Sequence, residues 1–304
     1  MSHILLDSND GNIITLGSTV GIATFSDGSE LGTDDANSFF IQKIDANTGN
    51  IIWETVVDQE YQTLLSYFHY HVILNNEEIF FFPEYYNGNE SKIVKLNSSN
   101  GNLSSIENDT FSTIYELRTV EQDNNNNIYI GARSSTNSNH SSLRKYDSNL
   151  NLLWEVLVSA SNPDQQAAMV YDMEYDPIND LLYVIGSARN ANLNPLGSSI
   201  TVTNNATYGT YFAAYNTSGI LQFANGFETD INSNVWPGEC KLDVFGDKLI
   251  FRSEFSGYVD FDVTDDIFYT PLTGISNSRF LSIYDLNGGI NLKKEQILLS
   301  SEDL

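Results

Sequence analysis

His69 and His71 stand two residues apart in a segment that reads as a β-strand, so both imidazoles would leave the same face. That geometry suits two ligands of a metal, or a general acid and base. A metal site needs three or four protein ligands, however, and the other histidines, His3 and His140, fall in different parts of the chain. Hydrogen bonding inside a channel or an interface is the competing reading. Asp7-Ser8-Asn9-Asp10-Gly11 opens like a calcium loop, since a hard cation prefers carboxylate and amide oxygens, although no Glu closes it at the twelfth position. The other dense acidic stretch is Asp260, Asp262, Asp265 and Asp266. Asp7, Asn9, Asp260 and Asp262 are therefore the candidate calcium ligands, against the plainer reading of solvated turns. Asp34-Asp35 and Glu77-Glu78 also read as turns. No Gly-x-Ser-x-Gly elbow, His-Glu-x-x-His pair or phosphate loop is present.

A second set of residues suits recognition. Tyr85, Tyr86, Tyr208, Tyr211, Trp236 and Tyr258 lie in or beside loops, where an aromatic face with polar neighbours holds a sugar or a partner protein. Core packing is the rival reading for many of them.

Bulk properties narrow the partners. The 304 residues carry 14 Lys and Arg against 40 Asp and Glu, a formal net charge of −26 that repels phosphate backbones and anionic membrane surfaces. Nucleic acid is excluded on that ground. The longest apolar runs, such as Leu181-Leu182-Tyr183-Val184-Ile185, fall far short of the roughly 20 residues of a membrane-spanning helix. Membrane insertion is not expected. Cys240 is the single cysteine and cannot form an internal disulfide. An acidic, Asn-rich composition with almost no cysteine suits a protein of the cell exterior, and the expected location is extracellular or the cell surface. Met1-Ser2-His3 leads directly into Ile4-Leu5-Leu6, with no export signal in view.

The elements that must position these residues are strands. Seventeen Tyr, seventeen Phe and abundant β-branched residues alternate with Asn, Asp and Gly turns, while no capped helical periodicity appears. The chain repeats itself. Segments 39–57 and 142–158 share a strand ending in Lys-x-Asp, a polar turn, and a strand carrying Trp-Glu. Weaker copies occur at Ile93–Asn97, Phe212–Asn216 and Leu281–Asp285, and each is preceded by a second hairpin such as Leu5–Gly17, Thr119–Gly131 or Tyr175–Gly186. Five units of two hairpins predict an all-β chain: a β-propeller of four-stranded antiparallel blades, with approximate blades at 1–60, 61–112, 113–161, 162–230 and 231–300 of one domain. Trp53 and Trp154 are expected to seal the gaps between blades; Ser105, Phe223 and Leu292 stand in their place elsewhere. Segments 18–38, 187–210 and 254–279 vary most and mark surface loops.

At Asp45-Ala46-Asn47-Thr48-Gly49-Asn50-Ile51-Ile52-Trp53 the chain resembles the Asp-x-x-Thr-Gly-x-x-x-Trp repeat of pyrroloquinoline-quinone-type propellers. Residues 16–53 and 254–289 are similar to the propeller repeat family of secreted bacterial proteins, through a Gly-rich strand, an insertion with Phe and Asp, and a strand of the Phe-x-x-Lys-x-Asp kind. What the resemblance implies is a non-catalytic surface or exported module, often part of a longer adhesin-like chain. The quinone enzymes that share the repeat commonly use adjacent cysteines, which this chain lacks. The functional expectation is a non-enzymatic binding module for a protein or glycan partner at the cell surface, with no cofactor other than calcium. The alternative is a polysaccharide lyase or hydrolase with carboxylates or His69 and His71 near the propeller axis.

Overall fold

The computed structural model describes residues 3–24, 28, 30–31, 37–58, 70–83, 93–107, 114–134, 140–160, 169–187, 191–194, 201–202, 210–226, 228–229, 234–256, 259–260, 278–286 and 293–299. Among them no α-helix forms. The first sheet contains β1 (His3–Leu6), β2 (Ile13–Val20), β5 (Asn37–Ile44) and β6 (Ile51–Asp58), with a small ribbon of β3 (Ala23–Thr24) and β4 (Glu30–Leu31) inserted. The second contains β7 (Tyr70–Asn75), β8 (Glu78–Pro83), β9 (Ile93–Asn97) and β10 (Leu103–Glu107). The third runs β11 (Ile114–Gln122), β12 (Ile128–Ser134), β13 (His140–Tyr146) and β14 (Leu152–Ala160). The fourth contains β15 (Met169–Asp176), β16 (Leu181–Ser187), β19 (Thr210–Asn216) and β20 (Leu221–Gly226). Its insertion, β17 (Ala191–Asn192) and β18 (Thr201–Val202), adds to the outer edge of β14 and makes the third sheet six-stranded. The fifth sheet contains β22 (Asn234–Phe245), β23 (Lys248–Ser256), β25 (Ser278–Asp285) and β26 (Lys293–Leu299). Its insertion β24 (Val259–Asp260) pairs with β21 (Glu228–Thr229), just beyond the fourth sheet.

Each sheet is an antiparallel meander in chain order, and the burial pattern shows why it is a blade. All seven residues of β16 are buried, so this strand lies between two neighbours. Its alternate side chains feed separate cores. Leu182 and Val184 join Tyr129, Leu143, Val156 and Val158 of the third sheet, whereas Leu181, Tyr183 and Ile185 join Leu242, Leu249 and Phe251 of the fifth. A third core unites Ile14, Leu16 and Ile41 of the first sheet with Val72, Ile79 and Phe81 of the second. Outer strands show the opposite pattern: in β14 Val156 and Val158 are buried while Leu153 and Leu157 face solvent. The fold is a β-propeller with five four-stranded blades in the chain. By contact it divides into two compact units, Met1–Val120 and Glu121–Leu304.

Register sets the packing within blades. Phe40 lies opposite Gly17 and Tyr211 opposite Gly186, and an aromatic ring occupies the space over each glycine. A Cβ on Gly186 would meet the Met169 carbonyl and the Tyr211 hydroxyl.

Candidate functional site

Asp7 begins the turn between the first two strands and is fully buried, with Oδ1 accepting from the Asn9 amide at 2.9 Å. Its other oxygen is 2.6 Å from Lys43 Nζ, which also lies 2.7 Å from Asp10 Oδ2. Asp7, which the sequence offered with Asn9 as a calcium ligand, is thus paired with the chain's own ammonium. The Asn9 amide group is directed elsewhere, donating to the Asn76 carbonyl at 2.8 Å. Burial works against the charge on Lys43, but its hydrogen bonds to Asp10 and Asp7 outweigh burial and hold its pKa above the ordinary lysine value.

Lys43 continues into the next blade. Its Nζ donates to the Ser98 carbonyl at 3.1 Å, and Trp53 Nε1 donates to the same oxygen at 3.0 Å. Gly101, in the same turn with φ +70°, lies flat against the Trp53 ring, where a Cβ would come within 2.5 Å. The arrangement recurs in the second unit. Lys145 Nζ lies 3.2 Å from Asp123 Oδ2 and 3.1 Å from the Thr217 carbonyl, to which Trp154 Nε1 also donates at 3.0 Å. Gly219 lies against the Trp154 ring as Gly101 lies against Trp53. Lys145 also sits over the Tyr129 ring at 4.9 Å, and the Tyr129 hydroxyl donates to Asp123 at 2.9 Å. The repeated Lys-x-Asp and Trp-Glu strands thus form a latch: one carbonyl of the following blade receives both a lysine and a tryptophan. In the fourth blade Ala214 replaces the lysine and Phe223 the tryptophan, and the seam is aromatic instead, with Tyr183, Phe212 and Tyr284 stacked in series.

A different set of polar groups lines the first strands of the blades. His71 Nε2 is 2.9 Å from the Arg118 carbonyl, which assigns this histidine to strand-to-strand bonding. His69 lies outside the described residues. In the second unit, Asp172 Oδ2 accepts from the Leu242 amide at 2.9 Å, and Lys241 Nζ is 3.5 Å from Asp172 Oδ1. Glu174, two residues along β15, accepts from the Val244 amide. Burial pushes its carboxyl up to about 8, and the charges of Asp243 and Asp172 add to the rise. Burial also holds Glu121 well above the usual carboxylate range, reinforced by Glu174, Asp172 and Asp243. A carboxyl that keeps its proton at neutral pH can donate a hydrogen bond or a proton, so this set carries the acid–base potential of the described chain. Among the described residues no group of three or more His, Cys, Asp or Glu could hold a metal ion. Cys240 is buried, with Sγ 3.0 Å from Ser253 Oγ.

The aromatic candidates are dispersed. Tyr211 is fully buried in the core shared by the third and fourth blades, because its position opposite Gly186 turns the ring inward; this corrects its assignment to a ligand-facing loop. Trp236 lies in β22, paired with Glu254, and Asp260 in β24, paired with Glu228. Tyr85, Tyr86, Tyr208, Tyr258 and Asp262 lie outside the described residues. Sequence reasoning missed Glu121, Asp172, Glu174, Lys241 and Asp243. The signal available was the position of Asp172-x-Glu174 and Lys241-x-Asp243 in the first strand of their units, where alternate residues share a face.

No protein-family model and no curated protein matches the sequence. Solved structures do. The chain is similar to hydrazine synthase from Kuenenia stuttgartiensis, with 11% identity, 97% of this chain and 92% of that chain covered, and a TM-score of 0.50. It is also similar to the Dos1 propeller, with 12% identity, 93% and 75% coverage and a TM-score of 0.46. For quinohemoprotein alcohol dehydrogenase from Comamonas testosteroni the values are 12% identity, 93% and 45% coverage and a TM-score of 0.46, so the chain spans less than half of that enzyme. At these identities the likeness is one of fold.

Proposed function

We propose that the chain is a non-enzymatic recognition module of the cell exterior, which presents the insertions at 18–38, 187–210 and 254–279 to a protein or glycan partner. The observation that supports this reading is the use of its charged and indole side chains: Asp7, Lys43, Trp53, Asp123, Lys145 and Trp154 all bond within or between blades. Groups engaged in this way stiffen a frame, and recognition falls to the insertions on it. Tyr208 and Tyr258 stand in two of them, where an aromatic face suits a sugar ring or a partner's apolar surface. Binding of the full chain to an immobilised panel of neutral and acidic polysaccharides tests the glycan arm. Saturable binding that Tyr208→Ala and Tyr258→Ala abolish, at unchanged melting temperature, is the expected result. Release of shortened or unsaturated sugars would overturn it.

That outcome would favour a second reading, a lyase or hydrolase working at the first strands. The raised Glu174 and Glu121 carboxyls support this alternative, since a protonated carboxyl beside other acids is a general-acid arrangement. Loss of product release in Glu174→Gln would identify it.

A further inference from the structure

Within each unit, blades meet front to back. The front of the first blade, with Leu5, Ile14 and Ile41, packs on the back of the second, with Val72, Ile79 and Phe81. The front of the fourth, with Tyr183 and Ile185, packs on the back of the fifth, with Leu242, Leu249 and Phe251. Register aligns the blades with one another: Ile14, Phe80, Tyr183 and Ile250 lie opposite Lys43, Lys95, Ala214 and Ile283 on one side. On the other side they lie opposite Leu5, Ile73, Glu174 and Asp243. Counting along the first strands then matches Ile4 with Val72, Met173 and Leu242, and Asp7 with Asn75, Asp176 and Phe245.

Each set has a member that stands apart. On the backs of their blades Val72, Met173 and Leu242 are 4%, 1% and 7% exposed, whereas Ile4 is 70% exposed. Leu6 and Ile52, on the same face as Ile4, are exposed too. On the fronts, Asp7, Asn75 and Asp176 are buried, whereas Phe245 is 77% exposed. Gly49 closes the turn after β5 as Gly101 closes the turn after β9, but nothing lies within 4 Å of a Cβ there, where Gly101 carries the Trp53 ring. The back of the first blade and the front of the fifth are therefore blade faces with no blade against them. Their chemistry matches. Phe245 and Ile283 stand where Asp7 and Lys43 form the buried ion pair, so the front of the fifth blade is apolar and suits Ile4, Leu6 and Ile52. Alternation from Phe251 puts the exposed Arg252 on that front, and alternation from Trp53 puts Glu54 on the first blade's back, so the two faces also carry opposite charges.

We propose that the front of the fifth blade docks on the back of the first blade of a second copy, continuing between chains the front-to-back contact that blades make within one. The interface is heterologous: the patch on one copy differs from the patch it meets, so copies add in series. A net charge of −26 on each copy opposes association, and salt that screens this repulsion strengthens the contact. The contact uses blade faces and not the insertions, so it stands independently of the recognition reading.

Sedimentation velocity of the full chain at rising concentration, in low and in moderate salt, tests the contact. The unsubstituted protein associates with concentration, and more strongly in the higher salt. Ile4→Glu and Phe245→Glu, each placing a charge at an exposed position, both weaken association at least about tenfold at unchanged melting temperature. Leu6→Glu serves in place of Ile4→Glu should that variant not fold. Mixing the two variants is the decisive step. Ile4→Glu keeps a sound fifth blade and Phe245→Glu a sound first blade, so the mixture forms one-to-one dimers that grow no further. A chain that stays monomeric at every concentration, as it would if the two faces met within one molecule, overturns the proposal. So does association that only one of the two variants weakens, which would mean like faces meeting, or a mixture in which no dimer forms.

Discussion

The Lys43 ammonium lies 2.6 Å from Asp7 Oδ2, and the two side chains are 3% and 0% exposed. An acidic turn at the edge of one sheet is thus neutralised by a lysine from the third strand of the same sheet. The same lysine then bonds a carbonyl of the next blade, so one cation completes a turn and joins two sheets. Lys145 repeats this with Asp123 and Thr217. The pattern answers a physical problem: an isolated buried ion costs several kcal/mol, and such a group is tolerated where its hydrogen-bonding capacity is filled. In a chain with no disulfide, these latches supplement the apolar cores between blades.

Gly101→Ala should destabilise the protein more than Gly49→Ala. Both glycines have left-handed backbone, φ +70° and +74°, so an added Cβ costs each about 1–2 kcal/mol. Only Gly101 lies against a ring, with Trp53 at 2.5 Å, whereas nothing lies within 4 Å at Gly49. Overpacking there adds about 1–3 kcal/mol. Urea denaturation of the two variants measures the difference.

Asp123 should shape the acid limb of stability. Burial opposes its charge, but hydrogen bonds from Asn127, Tyr129 and Lys145 outweigh burial and hold its pKa below the ordinary 3.8. A depressed carboxyl stabilises the fold above its unfolded value and loses that contribution as pH falls through the folded one. Melting temperatures measured from about pH 2 to 6 should therefore drop less steeply in Asp123→Asn than in the unsubstituted chain, and the variant should be less stable near pH 6.

Calcium should not act through the first turn. Melting curves in calcium and in chelator, recorded for the unsubstituted chain and for Asp7→Asn, should show the same calcium response in both. A calcium-dependent rise that disappears in Asp7→Asn would mean that the metal displaces Lys43.

The blades were legible in the sequence because the unit at 39–57 recurs at 142–158 and because turn residues punctuate strands of regular length. The seals were legible too: Trp53 and Trp154 occupy the expected gaps between blades. The role of Asp7 was hidden because its partner stands 36 residues further on, beyond any local motif. Tyr211 follows a long insertion and looked loop-bound, yet its register opposite Gly186 places it in the core. Asp172 and Glu174 resemble the solvated face of any strand; their meaning depends on β22, about 70 residues away in the chain, which spacing alone does not reveal.

A double-mutant cycle on Asp7 and Lys43, read by urea denaturation, tests most directly whether buried charge holds these blades together. Lys43→Met leaves a buried carboxylate without its cation, and Asp7→Asn removes the acid; the lysine change should cost about 3–5 kcal/mol. The double variant should be less destabilised than the sum of the two by more than about 1 kcal/mol. Small, additive losses would show that the ion pair does not hold the frame and would contradict the latch.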